Sequence, residues 1–331
     1  SWFWESTATW ASGVVYPDNY YVATFLPSYV LLSHLPVNYF LYPYNWILEE
    51  YYQYGSFLFP QHLTEYVVDE DIIRSAWEDN GEEGNPFVVM TSILEEQGVN
   101  IHEVWMEHNA YMTHMDYEQH DNYEYFVDYY DDLPEYSEYS RVAHKVYQTD
   151  TWEEVTPEIR LQHLGFHRIT LDVFPSLSSN SADITIDFDF EATGSQSSVP
   201  HFMVILVENN YGAISYHQII EDSQLSDQSE VAQVKMNSQL DLIVGVWSET
   251  GQAFSQETFP YQLKVNYTSS ENGDDDTNTN GPTNGDGNSY TPTYPPEKNA
   301  GCQILSADTE PSKNHLIVLL ILVCISVTRR S

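Results

Sequence analysis

Ile184-Thr185-Ile186-Asp187-Phe188-Asp189-Phe190 alternates apolar and polar side chains without a fault. Successive side chains on a β-strand point to opposite faces, so this stretch predicts a strand with one apolar face and one acidic face. The same period of two continues in Ile169, Leu171 and Val173 and in Tyr261, Leu263, Val265 and Tyr267. Between these lie short apolar runs at 202–207, 213–220, 231–236 and 240–247, separated by turn-rich connectors such as Glu208-Asn209-Asn210-Tyr211-Gly212. Seven short strands with such connectors predict an antiparallel β-sandwich over residues 165–268, one side buried and one acidic side in water.

Upstream of about residue 165 the period lengthens to that of a helix, and residues 1–150 read as mainly helical. The first segment begins near Trp2 and is expected to break at Gly13 and Pro17. Aromatic stretches punctuated by Pro27, Pro36 and Pro43 lead to a predicted helix from Asn45 through Tyr54, and the run from Gly55 to Pro60 opens another segment. Asp69-Glu70-Asp71 precedes the apolar Ile72, Ile73, Ala76 and Trp77, and acids suit a helix N-terminus. Asn85-Pro86 supplies an N-cap and a first-turn proline, with Gly98 after the last turn. Asn100 with Glu103 resembles a capping box and starts a helix that sets Ile101, Val104, Trp105, His108, Met112 and Met115 on one face. His108, on that apolar face, reads as a satisfied core histidine. The expected fold class is therefore α plus all-β in separate domains.

Charge narrows the function classes. Fifty Asp and Glu oppose 11 Lys and Arg, a formal −39 over 331 residues. Nucleic-acid binding needs clustered cations and is excluded on this balance. An acidic, self-repelling surface suits a salty medium or divalent cations. The Tyr-rich run 111–147 is wet and acidic rather than core-like; Asp128, Asp131, Asp132 and Glu135 within it read as a solvated loop, with calcium binding as the alternative. The two cysteines, Cys302 and Cys324, both lie in the tail. The folded part thus has neither a disulfide framework nor a cysteine-based zinc site, which suits an exported bacterial protein.

Residues 269–300 are built from Ser, Asn, Gly, Asp, Thr and Pro and read as a disordered linker. Asp276, Asn278, Asn280 and Gly281 match the first half of a calcium loop, but Gly287 stands where the bidentate Glu belongs. Weak calcium binding is the alternative to a plain linker. Residues 301–331 carry Gly301-Cys302, then Lys313-Asn314-His315, an apolar run at 316–327, and Arg329-Arg330. A dozen helical residues span roughly 18 Å, short of a hydrocarbon core of roughly 30 Å. This arrangement resembles bacterial C-terminal sorting signals, which implies processing or lipidation at Cys302, membrane contact before processing, and folded domains outside the cell. An ordinary tail anchor is the alternative.

Local catalytic motifs are absent: the chain has no HExxH, HxxEH, GxSxG or phosphate-binding Gly loop. His102 and His108 are six residues apart, about 600° of helical rotation, so their rings point opposite ways and cannot share a metal. Glu5 differs. It is a lone carboxylate among Trp2, Phe3, Trp4 and Trp10, where an unpaired charge is costly and a zinc ion would justify it.

Trp2, Trp4, Glu5, Ser6, Ala8 and Trp10, with Tyr16-Pro17-Asp18 shortly after, resemble the segment that follows the zinc helix in secreted bacterial metallopeptidases of the gluzincin kind. The resemblance continues through Tyr54–Leu63 and Ile72–Glu78 and covers roughly residues 2–130. It implies that Glu5 is the third zinc ligand, that an HExxH helix supplies two His ligands and the general base, and that the substrate is an extracellular protein or peptide. Because HExxH is missing from these residues, the chain is expected to be a C-terminal fragment, inactive by itself, with catalytic residues unassigned. Two other readings stay open: a non-catalytic surface protein for adhesion or carbohydrate binding, and a peptidase-like domain that has lost its metal. In either, Glu5 is a helix-start carboxylate.

Overall fold

A computed structural model of the chain describes residues 2–17, 21–40, 47–78, 86–117, 123, 153–155, 159–171, 181–190, 198–223, 228–235, 238–248 and 257–269. Helices precede antiparallel sheets, as the change of period predicts. The helices are α1 (Trp2–Val15), α2 (Leu26–Leu31), α3 (Ile47–Gly55), α4 (Leu58–His62), α5 (Asp71–Glu78), α6 (Pro86–Glu96) and α7 (Ile101–Thr113). A 3-10 turn (Val22–Phe25) precedes α2, and a π-helical turn (Leu63–Val67) extends α4.

Asn100 caps α7 by accepting the His102 N–H at 2.9 Å, and its side-chain amide approaches Glu103 Oε1 at 3.5 Å. The expected break at Gly13 does not occur, because α1 runs on to Val15. A Cβ at Gly13 would meet only Val22 Cγ2, at 4.0 Å. Helix there costs only about 1 kcal/mol of glycine's backbone entropy, whereas Pro17 disfavours helix at the residue before it.

The strands are β1 (Glu153–Val155), β2 (Leu161–Gln162), β3 (Gly165–Leu171), β4 (Ser181–Phe190), β5 (Pro200–Asn210), β6 (Ala213–Ser223), β7 (Gln228–Lys235), β8 (Gln239–Ser248), β9 (Thr258–Phe259) and β10 (Tyr261–Ser269). The seven strands expected from the sequence are all present. β1, β2 and β9, two or three residues each, are too short to display a period. One four-stranded sheet has the order β1-β10-β4-β7 and a second the order β3-β8-β5-β6, with β2 and β9 paired apart; every pairing is antiparallel.

The first sheet behaves as its alternation predicts. Ile184, Ile186, Phe188 and Phe190 are buried with Leu263 and Val265 of β10, while Asp189 is exposed and Asp187 lies opposite Lys264. Opposite charges facing each other across strands favour this register. Phe202, Val204 and Leu206 of β5 and Leu240, Leu242, Val244 and Val246 of β8 join the same core.

The second sheet is buried on its other face as well. Met203, Ile205 and Val207 of β5, Ile243 of β8 and Phe166 of β3 belong to the core formed by the helices. That is why β5 and β8 are nearly continuous apolar runs rather than alternating ones. Gly245 of β8 lies beneath α7, where a Cβ would come within 2.2 Å of Met106 Sδ and 2.7 Å of Trp105 Cη2. Backbone hydrogen bonds join the layers too: Gln162 N to His34 O at 3.0 Å, Phe166 N to Ser33 O at 2.8 Å, and Val37 N to Leu164 O at 3.1 Å. At Gly165 an added Cβ would lie 2.2 Å from the His34 carbonyl oxygen, which is backbone and cannot swing aside.

Gly165→Ala should therefore destabilise the protein by roughly 1–3 kcal/mol, the usual cost of overpacking. Urea denaturation checks this, and an unchanged midpoint would show that the close approach at His34 is not a constraint.

Candidate functional site

Glu5 lies in the first turn of α1, half-buried. Trp2, Phe3, Ser6, Thr7, Thr9 and Gly13 form the buried side of that helix, and Trp4 stays 44% exposed. Glu5 is thus at the margin between core and solvent. Around it, Trp77 of α5 packs on Trp4 and Phe3, with ring centroids 5.4 and 5.7 Å away, and its indole N–H donates to Thr7 Oγ1 at 3.2 Å. α1 also packs on α3 and α4. The three stretches that carry the peptidase resemblance therefore form one packed unit.

The described residues contain no group of three or more His, Cys, Asp or Glu placed to hold a metal. They do not make a zinc site by themselves, and Glu5 offers one carboxylate. Cys302 and the calcium candidates Asp276, Asn278 and Asn280 lie outside the described residues, as do Asp128, Asp131, Asp132 and Glu135.

His102 and His108 face different surroundings, as their spacing predicts. His108 is fully buried and satisfied, with Nε2 3.1 Å from the Tyr29 hydroxyl and Nδ1 3.0 Å from the Tyr117 hydroxyl. Burial, reinforced by nearby His62, pushes its pKa well down. A neutral imidazole donates from one nitrogen and accepts at the other, so one tyrosine accepts and the other donates.

Sequence reasoning passed over His62. It ends α4, where the π-helical turn begins with Val68 N bonded to Leu63 O at 2.8 Å. The His62 ring is enclosed by Tyr111 at 5.1 Å, Tyr66 at 5.3 Å and His108 at 5.6 Å. Neither ring nitrogen has a hydrogen-bond partner among the described residues, and burial pushes the pKa down to about 3. One histidine in an aromatic-rich segment leaves no pattern by which to find it.

Asp241 was also passed over. It is fully buried, between Leu240 and Leu242 on β8, on the face that meets the helices. Arg168 donates from Nε at 3.2 Å and Nη2 at 3.3 Å, and Thr170 Oγ1 donates at 2.7 Å. His114 Nε2, just past the end of α7, lies 3.4 Å away without hydrogen-bond alignment. Burial alone would raise the Asp241 carboxyl, but His114, Arg168 and Thr170 outweigh it and hold the carboxyl well below the usual range. Glu208, on the opposite face of the sheet, follows the same logic. Burial opposes its charge, but His217 at 3.1 Å, the Lys235 N–H at 2.7 Å and the Ser238 hydroxyl at 2.8 Å hold its pKa down. Both are structural ion centres, with every strong donor committed to the fold.

No protein-family model matches the chain, and no curated protein sequence matches it. Among solved structures, the chain is similar to the Aeromonas hydrophila periplasmic inhibitor of g-type lysozyme, PliG, at 12% identity and a TM-score of 0.20, over 38% of this chain and 96% of that one. It is similar also to the CBM22-1 xylan-binding domain of Paenibacillus barcinonensis Xyn10C, at 11% identity and a TM-score of 0.20, over 37% and 84% of the two chains. Scores this low carry no argument about function.

Two substitutions test this interior. Asp241→Asn strands the buried Arg168 charge and should cost about 3–5 kcal/mol, read by denaturant unfolding at pH 7. His62→Phe removes two unpartnered nitrogens and a group whose folded pKa lies below its unfolded value. The wild type should lose stability as pH falls from 6.5 towards 3, so the advantage of the variant should widen over that window. Parallel thermal melts at pH 7.5 and pH 5.0 measure the difference. An advantage that does not grow at pH 5.0 would show that His62 does not titrate as a buried group.

Proposed function

We propose that residues 1–150 are the helical C-terminal part of a zinc-metallopeptidase-like domain of the gluzincin kind, followed by a β-sandwich over residues 165–268, in an exported, surface-attached bacterial protein. The observation that carries this reading is the packing of Trp77 on Phe3, Trp4 and Thr7. It unites motif segments some 70 residues apart around the helix that bears Glu5. A ligand donated by one helix to a metal held mainly by another belongs at a helix margin, neither in the core nor in free solvent, and Glu5 lies there.

In this reading Glu5 supplies one zinc ligand, and the other two with the general base come from an HExxH helix outside these 331 residues. Zinc, when bound, polarises a scissile carbonyl and acidifies a water. Residues 269–300 act as a spacer, and residues 301–331 as a sorting tail processed or lipidated at Cys302.

Genomic sequence upstream of Ser1 should encode HExxH on an amphipathic helix. In the protein that includes it, Glu5→Gln should lower bound zinc at unchanged thermal stability of the sheets. Zinc stoichiometry by atomic emission equal to wild type would reject the ligand role, and an upstream sequence without HExxH would reject the peptidase reading.

A further inference from the structure

His102 and His201 both stack on Trp247. The His102 ring centroid is 3.8 Å from the indole with the planes 7° apart, and the His201 centroid is 3.9 Å away with the planes 18° apart. Two rings cannot both lie this close and parallel on one face of an indole without overlapping, so they occupy opposite faces. His102 is in the first turn of α7, Trp247 is on β8 and His201 on β5. The triple stack thus fastens the N-terminal end of α7 to the sheet.

We propose that this His102–Trp247–His201 stack is an acid-released clasp, which frees the N-terminal end of α7 from the sheet while the C-terminal end stays attached.

An indole face attracts one cation. It does not shield a second imidazolium on its other face, and a third histidine stands close by. His163, in the turn between β2 and β3, accepts the N–H of Ser248, the residue after Trp247, at 3.1 Å. The carboxylate beside His163 is Glu257, which already accepts the N–H and hydroxyl of Ser198. On α7 itself Glu103 is exposed to water and Glu107 is half-buried. Arg168 and Asp241 lie further along the sheet, at the other end of α7.

The two ends of α7 therefore sit in opposite company. His114 faces the Asp241 carboxylate at 3.4 Å, whereas His102 lies among His163 and His201, both of which disfavour a charge on it. Burial pushes His102 down to about 4, with His163 and His201 adding to it, and burial likewise pushes His163 to about 4. Released into water, these groups titrate near 6.5. Between pH 6.5 and 4 the open form binds protons that the closed form excludes, so opening gains as pH falls and the clasp is whole above 6.5.

Hydrogen exchange by mass spectrometry, normalised for intrinsic exchange rates, reads this directly. Between pH 8.0 and pH 5.0, amides in the first two turns of α7 should lose protection by about tenfold or more, while β4 and β10 keep theirs. His102→Phe retains an aromatic ring on Trp247 and removes the proton site, so the pH-dependent loss should shrink in that variant; His201→Phe is the second test should the first not fold. Uniform loss across helices and sheets would overturn the proposal in favour of global acid unfolding. A loss confined to α7 that persists unchanged in both variants would overturn it too.

Discussion

The sheet β3-β8-β5-β6 must be buried on both of its faces, and much else in the molecule follows from that constraint. One face closes a core with the first sheet, and the other is covered by α7 and the helices behind it. Covering both faces demands apolar side chains on both, and β5 and β8 comply almost throughout. It also demands room: Gly245 lets Trp105 and Met106 settle onto β8, and Gly165 lets the segment around His34 lie on the strand backbone. The helices accordingly share a core with the sheets, with Leu164, Phe166, Met203, Ile205, Val207 and Ile243 in the same cluster as Trp105 and Leu58.

A layer of this kind has to absorb polar groups, and here it does so with rings. Tyr29, Tyr52, Tyr117 and Tyr123 are all buried, the last two contrary to the wet surface expected of the run 111–147, and each spends its hydroxyl on a nearby acceptor or on His108. Burial raises their pKa values, so at any ordinary pH they remain neutral and the layer holds no stray phenolate. His62, His108 and His167 are held neutral in the same way. Their depressed pKa values make the interior sensitive to acid, because the folded state excludes protons that the unfolded chain would bind, and the raised tyrosines make it sensitive to strong base by the converse argument.

The sequence showed the strands wherever the alternation had four or more residues in which to repeat, and the helix starts wherever a cap residue met an apolar period. The double burial of the second sheet is less plain: 202–207 and 240–247 are continuous apolar runs, and a strand without alternation is one covered on both faces, but a short apolar run alone does not separate that from a buried helix. Gly13 misled because a glycine inside a helix is only a weak breaker when its face is packed. His62 and the histidine–tryptophan stack were not legible at all, since residues 102, 201 and 247 meet only through the tertiary fold.

Glu5 and Asp241 pose the same sequence-level question, a single carboxylate in apolar company, and the fold answers it differently for each. Asp241 sits at the centre of a finished arrangement: Arg168, Thr170 and His114 surround it, and nothing further is needed to hold its charge. Glu5 was built otherwise. Its helix turns Phe3, Ser6 and Thr7 inward and leaves the carboxylate on the flank, beside the half-exposed Trp4–Trp77 pair. Glu208 repeats the Asp241 solution on the other face of the sheet. Glu5 sits half-buried at the rim of a packed aromatic unit, in the first turn of α1, where water and the positive end of the helix can both reach its charge. The interior acids are thus held by donors fixed in the sheet, and the rim acid by its place on a helix end.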